Sequence, residues 1–249
     1  MTFNEFNFKE QLQDAIESAG FKEPSPIQEE AIPIVLSGKD MVGQAHTGTG
    51  KTAAFGLPVL NMMKGQNGVE AVVIVPTREL AMQVSDELYR FGRFLGINTA
   101  TVYGGQAYAR QIKLIENAGI IVATPGRFLD LLRGGKIDIK PEYVILDEAD
   151  EMLDMGFLDD IKEIFTFLPK ERQTLLFSAT MPLAIKNLAK TILNNPEFIT
   201  LTKSDVTNSK ITQTFYVVDE RERDDALIRL YDYKNPTKSI IFCRTKKEV

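Results

Sequence analysis

From about residue 40 the chain alternates short apolar runs with longer amphipathic stretches, and no other feature limits the fold as much. The runs cover residues 41–45, 71–75, 99–103, 120–123, 143–146, 174–177 and 198–201. They are rich in Val, Ile, Leu and Phe without clean alternation, the pattern of strands covered on both faces. Helical patterns lie between them, for example over 79–95, 106–117, 157–167 and 183–193. This order predicts an α/β fold, a parallel sheet with helices on both faces. Its ligand crevice should lie along the edge where the strands end.

Composition removes several classes of function. The apolar runs are too short to span a bilayer, and the first residues, Met1-Thr2-Phe3-Asn4-Glu5-Phe6, carry no basic start or apolar signal core. A protein without membrane contact, working in the cytoplasm, is expected. Cys243 is the single cysteine and His46 the single histidine, so a disulfide within the chain, a cysteine cluster and a multi-histidine zinc site are all excluded. Chemistry must rest on carboxylates, lysine, backbone amides and a recruited cation. A net charge of −5 argues against a broad basic groove.

Residues 202–210 are polar and read as a linker. After them come an expected strand over 211–218, a helix over 223–233 and a strand over 239–242. Forty residues with two strands are too few for an independent core. The expected organisation is therefore a first domain over 1–203, a linker over 204–210, and the incomplete opening of a second α/β domain over 211–249.

The first run leads into Ala45-His46-Thr47-Gly48-Thr49-Gly50-Lys51-Thr52 and then a helix. This fits the Walker A phosphate loop except that Ala45 stands at the first glycine. Gly48 and Gly50 let successive N–H groups curl toward phosphate oxygens, and the helix start adds further donors. Lys51 can reach the β- and γ-phosphates, and the Thr52 hydroxyl can ligate Mg²⁺. His46 is not required by this chemistry.

The run at 143–146 ends in Asp147-Glu148-Ala149-Asp150. Alone, four such residues also suit a solvated helix start. On a second buried strand, about a hundred residues after a phosphate loop, they form a Walker B arrangement: Asp147 holds Mg²⁺ through water, and Glu148 polarises the attacking water.

Taken together these residues resemble the DEAD-box RNA helicases, and the resemblance extends from Phe3 to Thr245. Gly20-Phe21-Lys22-Glu23-Pro24-Ser25-Pro26-Ile27-Gln28 is similar to the family's Q motif. It implies that Phe21 stacks on adenine while the Gln28 amide bonds the adenine edge. Phe3, Phe6 and Phe8 read as core packing instead. Pro76-Thr77-Arg78, Gly104-Gly105 and Thr124-Pro125-Gly126-Arg127 resemble the family's three RNA-backbone motifs. Hydroxyls, glycine amides and arginines of this kind grip phosphate without reading bases. Ser178-Ala179-Thr180 matches the motif that couples nucleotide state to domain movement, and residues 240–245 resemble the first motif of a second helicase domain.

The resemblance implies a RecA-like P-loop NTPase fold, ATP and Mg²⁺ as ligands, and RNA as partner. Lys51, Asp147 and Glu148 would be its catalytic residues. It also implies a second RecA-like domain in the same chain that supplies arginines to the γ-phosphate. Without that domain, residues 1–249 are expected to bind adenine nucleotide, hold RNA weakly and turn over little. His46 departs from the glutamine common at its position. Competing expectations are a DNA helicase, another P-loop ATPase, and an RNA-binding scaffold that holds nucleotide without turnover.

Overall fold

The structure, a computed structural model, describes residues 1–65, 68–201, 212, 214–243 and 245. It divides into two compact units, Met1–Val206 and Thr207–Val249.

The first unit is a seven-stranded sheet in the order β3-β4-β2-β5-β6-β1-β7, with every neighbouring pair parallel. The strands are β1 (Met41–Gln44), β2 (Ala71–Ile74), β3 (Thr99–Val102), β4 (Ile120–Ala123), β5 (Tyr143–Leu146), β6 (Gln173–Ser178) and β7 (Glu197–Thr200). Central strands β2 and β4 are buried at every residue, whereas edge strand β7 buries only Ile199. That contrast is why the inner runs show no alternation.

Helices cover both faces. On one lie α1 (Glu10–Ser18), α2 (Pro26–Leu36), α3 (Lys51–Met62) and α4 (Arg78–Gly92), which pack with Phe3, Phe6 and Phe8 on Val73, Val122, Ile145 and Phe177. On the other lie α5 (Tyr108–Ile115), α6 (Pro125–Arg133), α7 (Ala149–Asp154), α8 (Leu158–Phe167) and α9 (Leu183–Ile192), over Val72, Ile74, Val144 and Leu176. Several helices start where the sequence offers a cap. Ser25 and Gln28 close a capping box on α2, Thr77 caps α4 through the Leu80 N–H, and Pro125 occupies the first turn of α6.

The opposite end of the sheet is pinned by Asp40, whose carboxylate accepts the N–H groups of Thr174 at 2.8 Å and Asn194 at 2.6 Å. No helix among the described residues is long and apolar enough to cross a membrane.

The second unit contains the expected helix, α10 (Arg223–Lys234), behind a 3₁₀ turn at Glu220–Glu222. The two strands expected there are not formed: residues 212, 214–219 and 239–243 have no strand pairing. A strand exists only when a neighbour takes its N–H and C=O groups. No such neighbour is found among the described residues, and Phe215, Val217 and Phe242 stand exposed. Ile211, Gln213, Arg244 and the linker at 204–210 lie outside the described residues.

One close contact sets the thickness of the core behind the phosphate loop. A Cβ added to Gly43 of β1 would meet the Phe177 ring at 2.7 Å, and that ring packs on Phe55 at 5.5 Å between centroids. Gly43→Ala should therefore destabilise by about 1–3 kcal/mol through overpacking. Urea unfolding should also show the Gly43→Ala/Phe177→Leu double variant losing less than the two single losses added together.

Candidate functional site

All the candidate residues outside the Q motif lie at or beyond the C-terminal ends of strands, and so on one edge of the sheet. β1 continues into Ala45, whose N–H donates to the Ser178 carbonyl at 3.1 Å. The loop then turns through Gly48 (φ 83°) and Gly50 (φ 91°), left-handed conformations that glycine tolerates, before α3 starts at Lys51. Within the loop the Thr49 hydroxyl donates to the His46 carbonyl at 2.8 Å.

The preceding segment braces this loop. The Ser25 hydroxyl donates to the Thr49 carbonyl at 2.8 Å, and Gln28 Nε2 donates to the Gly50 carbonyl at 3.0 Å. Gln28 Oε1 accepts the Ser25 N–H at 2.9 Å. Buried Gln28 is thus a structural brace, with one amide N–H beyond these bonds. Phe21 is half-buried, edge-on to Phe3 at 5.9 Å and to Phe91 at 5.7 Å.

Opposite the loop, β5 ends at Asp147 and Glu148. The Asp147 N–H extends the ladder to Ile74, and its Oδ1 accepts the Glu148 N–H at 3.0 Å. Glu148 holds φ 55°, ψ 52°, a left-handed conformation that costs a non-glycine residue roughly 1–2 kcal/mol. Lys51 Nζ lies 2.8 Å from Glu148 Oε1 and 3.6 Å from Asp147 Oδ1, and the Thr47 hydroxyl donates to the same Glu148 oxygen at 3.1 Å. These three charged side chains are almost wholly buried. Burial pushes the Asp147 carboxyl up to about 6, reinforced by the Glu148 charge and opposed by Lys51.

Thr52 has a partner that the sequence did not announce. Burial pushes the Glu87 carboxyl of α4 up, and a hydrogen bond with the Thr52 side chain offsets part of this. Glu87 is one acid among several on an amphipathic helix, and nothing in its spacing marks it. Among the described residues no group of three or more His, Cys, Asp or Glu could hold a metal. Of the two expected metal residues, Asp147 stands at the end of β5 beside Lys51 and Thr52 is hydrogen-bonded to Glu87.

Ser178 and Thr180 meet the acidic strand end at Asp150. The Asp150 N–H donates to the Ser178 hydroxyl at 3.1 Å, while the carboxylate accepts the Thr180 hydroxyl and N–H, both at 2.8 Å. Burial pushes the Asp150 carboxyl up, but hydrogen bonds of the Ser178 side chain and of the Thr180 side chain and N–H outweigh it and hold it below its ordinary value.

The remaining loops follow β2, β3 and β4. Pro76 is buried, Thr77 spends its hydroxyl on the α4 cap, and Arg78 is exposed with its guanidinium 4.9 Å from the centre of the Tyr103 ring. Gly104 and Gly105 (φ 88°) are exposed. The Thr124 N–H donates to the Val102 carbonyl at 2.9 Å, and Pro125-Gly126 open α6. Arg127 is half-buried and stacks over Tyr108 at 4.1 Å.

The edge is therefore divided by strand order. Loops of β3, β4 and β2 carry the expected RNA-backbone groups; loops of β5, β6 and β1 carry the acidic pair, Ser178-Ala179-Thr180 and the phosphate loop. The profile of the DEAD/DEAH box helicases matches residues 25–188, more than half of the chain. The chain belongs to this family. It is 55% identical over 249 residues to the DEAD-box ATP-dependent RNA helicase RhpA of Helicobacter pylori, covering 99% of this chain and 51% of that protein. To the DEAD-box ATP-dependent RNA helicase CshA of Bacillus subtilis it is 47% identical over 252 residues, covering 100% and 51%. A DEAD box protein from the hyperthermophile Methanococcus jannaschii superposes with a TM-score of 0.79 at 42% identity, covering all of this chain and 68% of that one. The chain spans about half the length of the curated relatives it matches.

Asp150 joins α7 to the Ser178–Thr180 turn through its N–H and its carboxylate. Removing a charged acceptor of two short bonds should cost about 2–3 kcal/mol. Asp150→Ala should lose that much in chemical denaturation, and Asp150→Asn, which keeps an acceptor oxygen, clearly less.

Proposed function

We propose that the protein is an ATP-dependent RNA helicase, and that this chain carries its nucleotide-binding half. Supporting the reading above all is the sharing of one buried cation, Lys51, between Asp147 and Glu148 across the gap from phosphate loop to acidic strand end. The relatives named above are called ATP-dependent RNA helicases. In this reading, residues 1–203 are the first RecA-like domain, 204–210 the linker and 211–249 the opening of a second domain.

The chemistry follows from the residues. An incoming γ-phosphate displaces the Glu148 carboxylate from Lys51, because it brings more negative charge to the ammonium than a carboxylate does. Glu148, relieved of the lysine, turns to the attacking water as acceptor. Amides of the loop from Thr47 to Lys51 cradle the phosphates, with Ala45 and His46 leading into that cradle. Thr52 and Asp147 would hold Mg²⁺, Thr52 with the hydroxyl that is bonded to Glu87 here. When bound, that ion neutralises charge on the phosphate oxygens.

Phe21 and Gln28 take the adenine, Gln28 through the N–H that the loop leaves over. Arg78, Gly104, Gly105 and the turn from Thr124 to Arg127 take RNA phosphates, with Pro76 and Thr77 setting the entry to α4. Ser178 and Thr180, through Asp150, link the acidic end to movement of a second RecA-like domain. That domain supplies the arginines at the γ-phosphate, which can be worth roughly 10³–10⁵ in rate. RNA and ATP are both met in the cytoplasm, where we propose the protein works.

Two experiments test this reading. Lys51→Ala removes about 2–4 kcal/mol of phosphate binding, so ATP affinity should fall on the order of 100-fold with the circular dichroism spectrum unchanged. Near-normal ATP binding by calorimetry would contradict the phosphate-loop assignment. Separately, the unmutated protein should prefer ADP to GDP, and its ATPase should respond to RNA more than to DNA. Gln28→Ala should erase the base preference, and equal ADP and GDP affinities before mutation would remove Phe21 and Gln28 from the site.

A further inference from the structure

Gln111 is a polar side chain with no exposed surface, set in a helix whose other buried residue is Ile115. Such a group persists only if each end is bonded. Its Nε2 donates to the Tyr103 carbonyl at 2.8 Å, immediately before Gly104-Gly105. Its Oε1 accepts from Arg127 Nη1 at 2.8 Å, and the same nitrogen donates to the Gln106 carbonyl at 2.7 Å. Gln106 in turn donates from Nε2 to the Tyr103 hydroxyl at 2.6 Å, and the Tyr103 ring lies beneath Arg78. A single chain of contacts thus runs from Arg78 through Tyr103 and Gln111 to Arg127, joining the loops that follow β2, β3 and β4.

The arrangement at Arg127 is asymmetric. Nη1 has two N–H groups, and Gln106 and Gln111 take one each. The guanidinium face is stacked on Tyr108. The opposite edge, formed by Nε and Nη2, carries no hydrogen bond to the described residues, and it is the edge that can meet two phosphate oxygens as a fork. We infer that Gln111 is a positioning residue for RNA: by fixing Nη1 it aims the Nε/Nη2 edge of Arg127 at a backbone phosphate and locks that arginine in register with Gly104-Gly105. A primary amide suits this place because it donates to one carbonyl and accepts from a cation at once. Glutamate could do only the second, and leucine neither.

The inference rests on reading these loops as an RNA-backbone surface, and the experiment separates the two. Binding of a fluorescent single-stranded RNA to the full-length protein with bound ATP analogue is measured against salt concentration, alongside nucleotide affinity without RNA. In Gln111→Leu, RNA affinity should fall roughly tenfold, as expected when a charge-assisted contact is lost. The log–log salt slope should flatten by about 0.7, the value of one phosphate contact on a single strand. Nucleotide affinity should stay unchanged. Gln111→Glu, which keeps the acceptor for Arg127, should recover most of the affinity and the slope. Gln111→Asn, too short to reach both partners, should show the same losses and carries the test if the leucine variant fails to fold. In a double-mutant cycle, Gln111→Asn should cost little once Arg127→Gln is present. If the unmutated protein binds RNA while Gln111→Asn and Gln111→Leu keep its salt slope, Gln111 does not aim Arg127. A protein that binds no RNA at all would instead undo the functional reading on which the inference stands.

Discussion

Parallel pairing obliges every strand to leave the sheet at the same edge, and the placement of the site follows from that constraint. Six consecutive loops are delivered to one rim however far apart they are in sequence. Lys51 and Glu148, separated by 97 positions, meet at 2.8 Å only because β1 and β5 both run toward that rim with β6 between them. Strand order then sorts the rim: the loops of β3, β4 and β2, proposed for RNA phosphates, on one side, and the loops of β5, β6 and β1, proposed for the nucleotide, on the other. The boundary falls between β2 and β5, where the Asp147 N–H is bonded to Ile74.

The nucleotide side is held by a buried ion cluster, and such clusters are held more tightly to their own members than they contribute to stability. Desolvating each ion costs several kcal/mol, which mutual attraction repays only with good geometry. Here one cation serves two carboxylates, so a negative charge is left over. Burial of that surplus raises Asp147 to about 6. A site with excess buried negative charge favours any cation that can share it. The left-handed backbone of Glu148 belongs to the same arrangement: its carboxylate reaches back to Thr47 and Lys51 from a conformation that those bonds must hold.

Much of this was legible in the residues themselves. The inner runs showed their double burial through unbroken Val, Ile and Leu, and the structure bounds each strand within a residue or so of the sequence reading. The Ser25-Pro26-Ile27-Gln28 segment read as part of an adenine motif, and in the structure Gln28 also closes the cap of α2 and braces the loop with the same amide. What stayed hidden were contacts that depend on strand order, which no local pattern encodes. Gln111 lies one position past Arg110 in an ordinary amphipathic helix, and only the adjacency of β3 and β4 brings it under Arg127. Glu87 was missed for the same reason, since its contact needs α3 and α4 side by side. The apolar residues around 215–217 and 240–242 read as strands because composition records a preference for extended chain, while pairing requires a partner that composition does not supply.

The tethers on the phosphate loop are distributed unevenly, and this governs how it can move. Its helical end is clamped at the Thr49 and Gly50 carbonyls by Ser25 and Gln28, on a helix packed into the core. Its strand end is clamped at Ala45 by the sheet. Between them, among the described residues, Thr47 is held by its hydroxyl alone, and Gly48 has open space where a side chain would be. The loop is thus tethered at both ends, and between them the Thr47 hydroxyl ties it to the Glu148 carboxylate. Movement of the loop at Thr47 would break one of the two bonds on Glu148 Oε1 and leave the other, from Lys51 at the start of α3, in place.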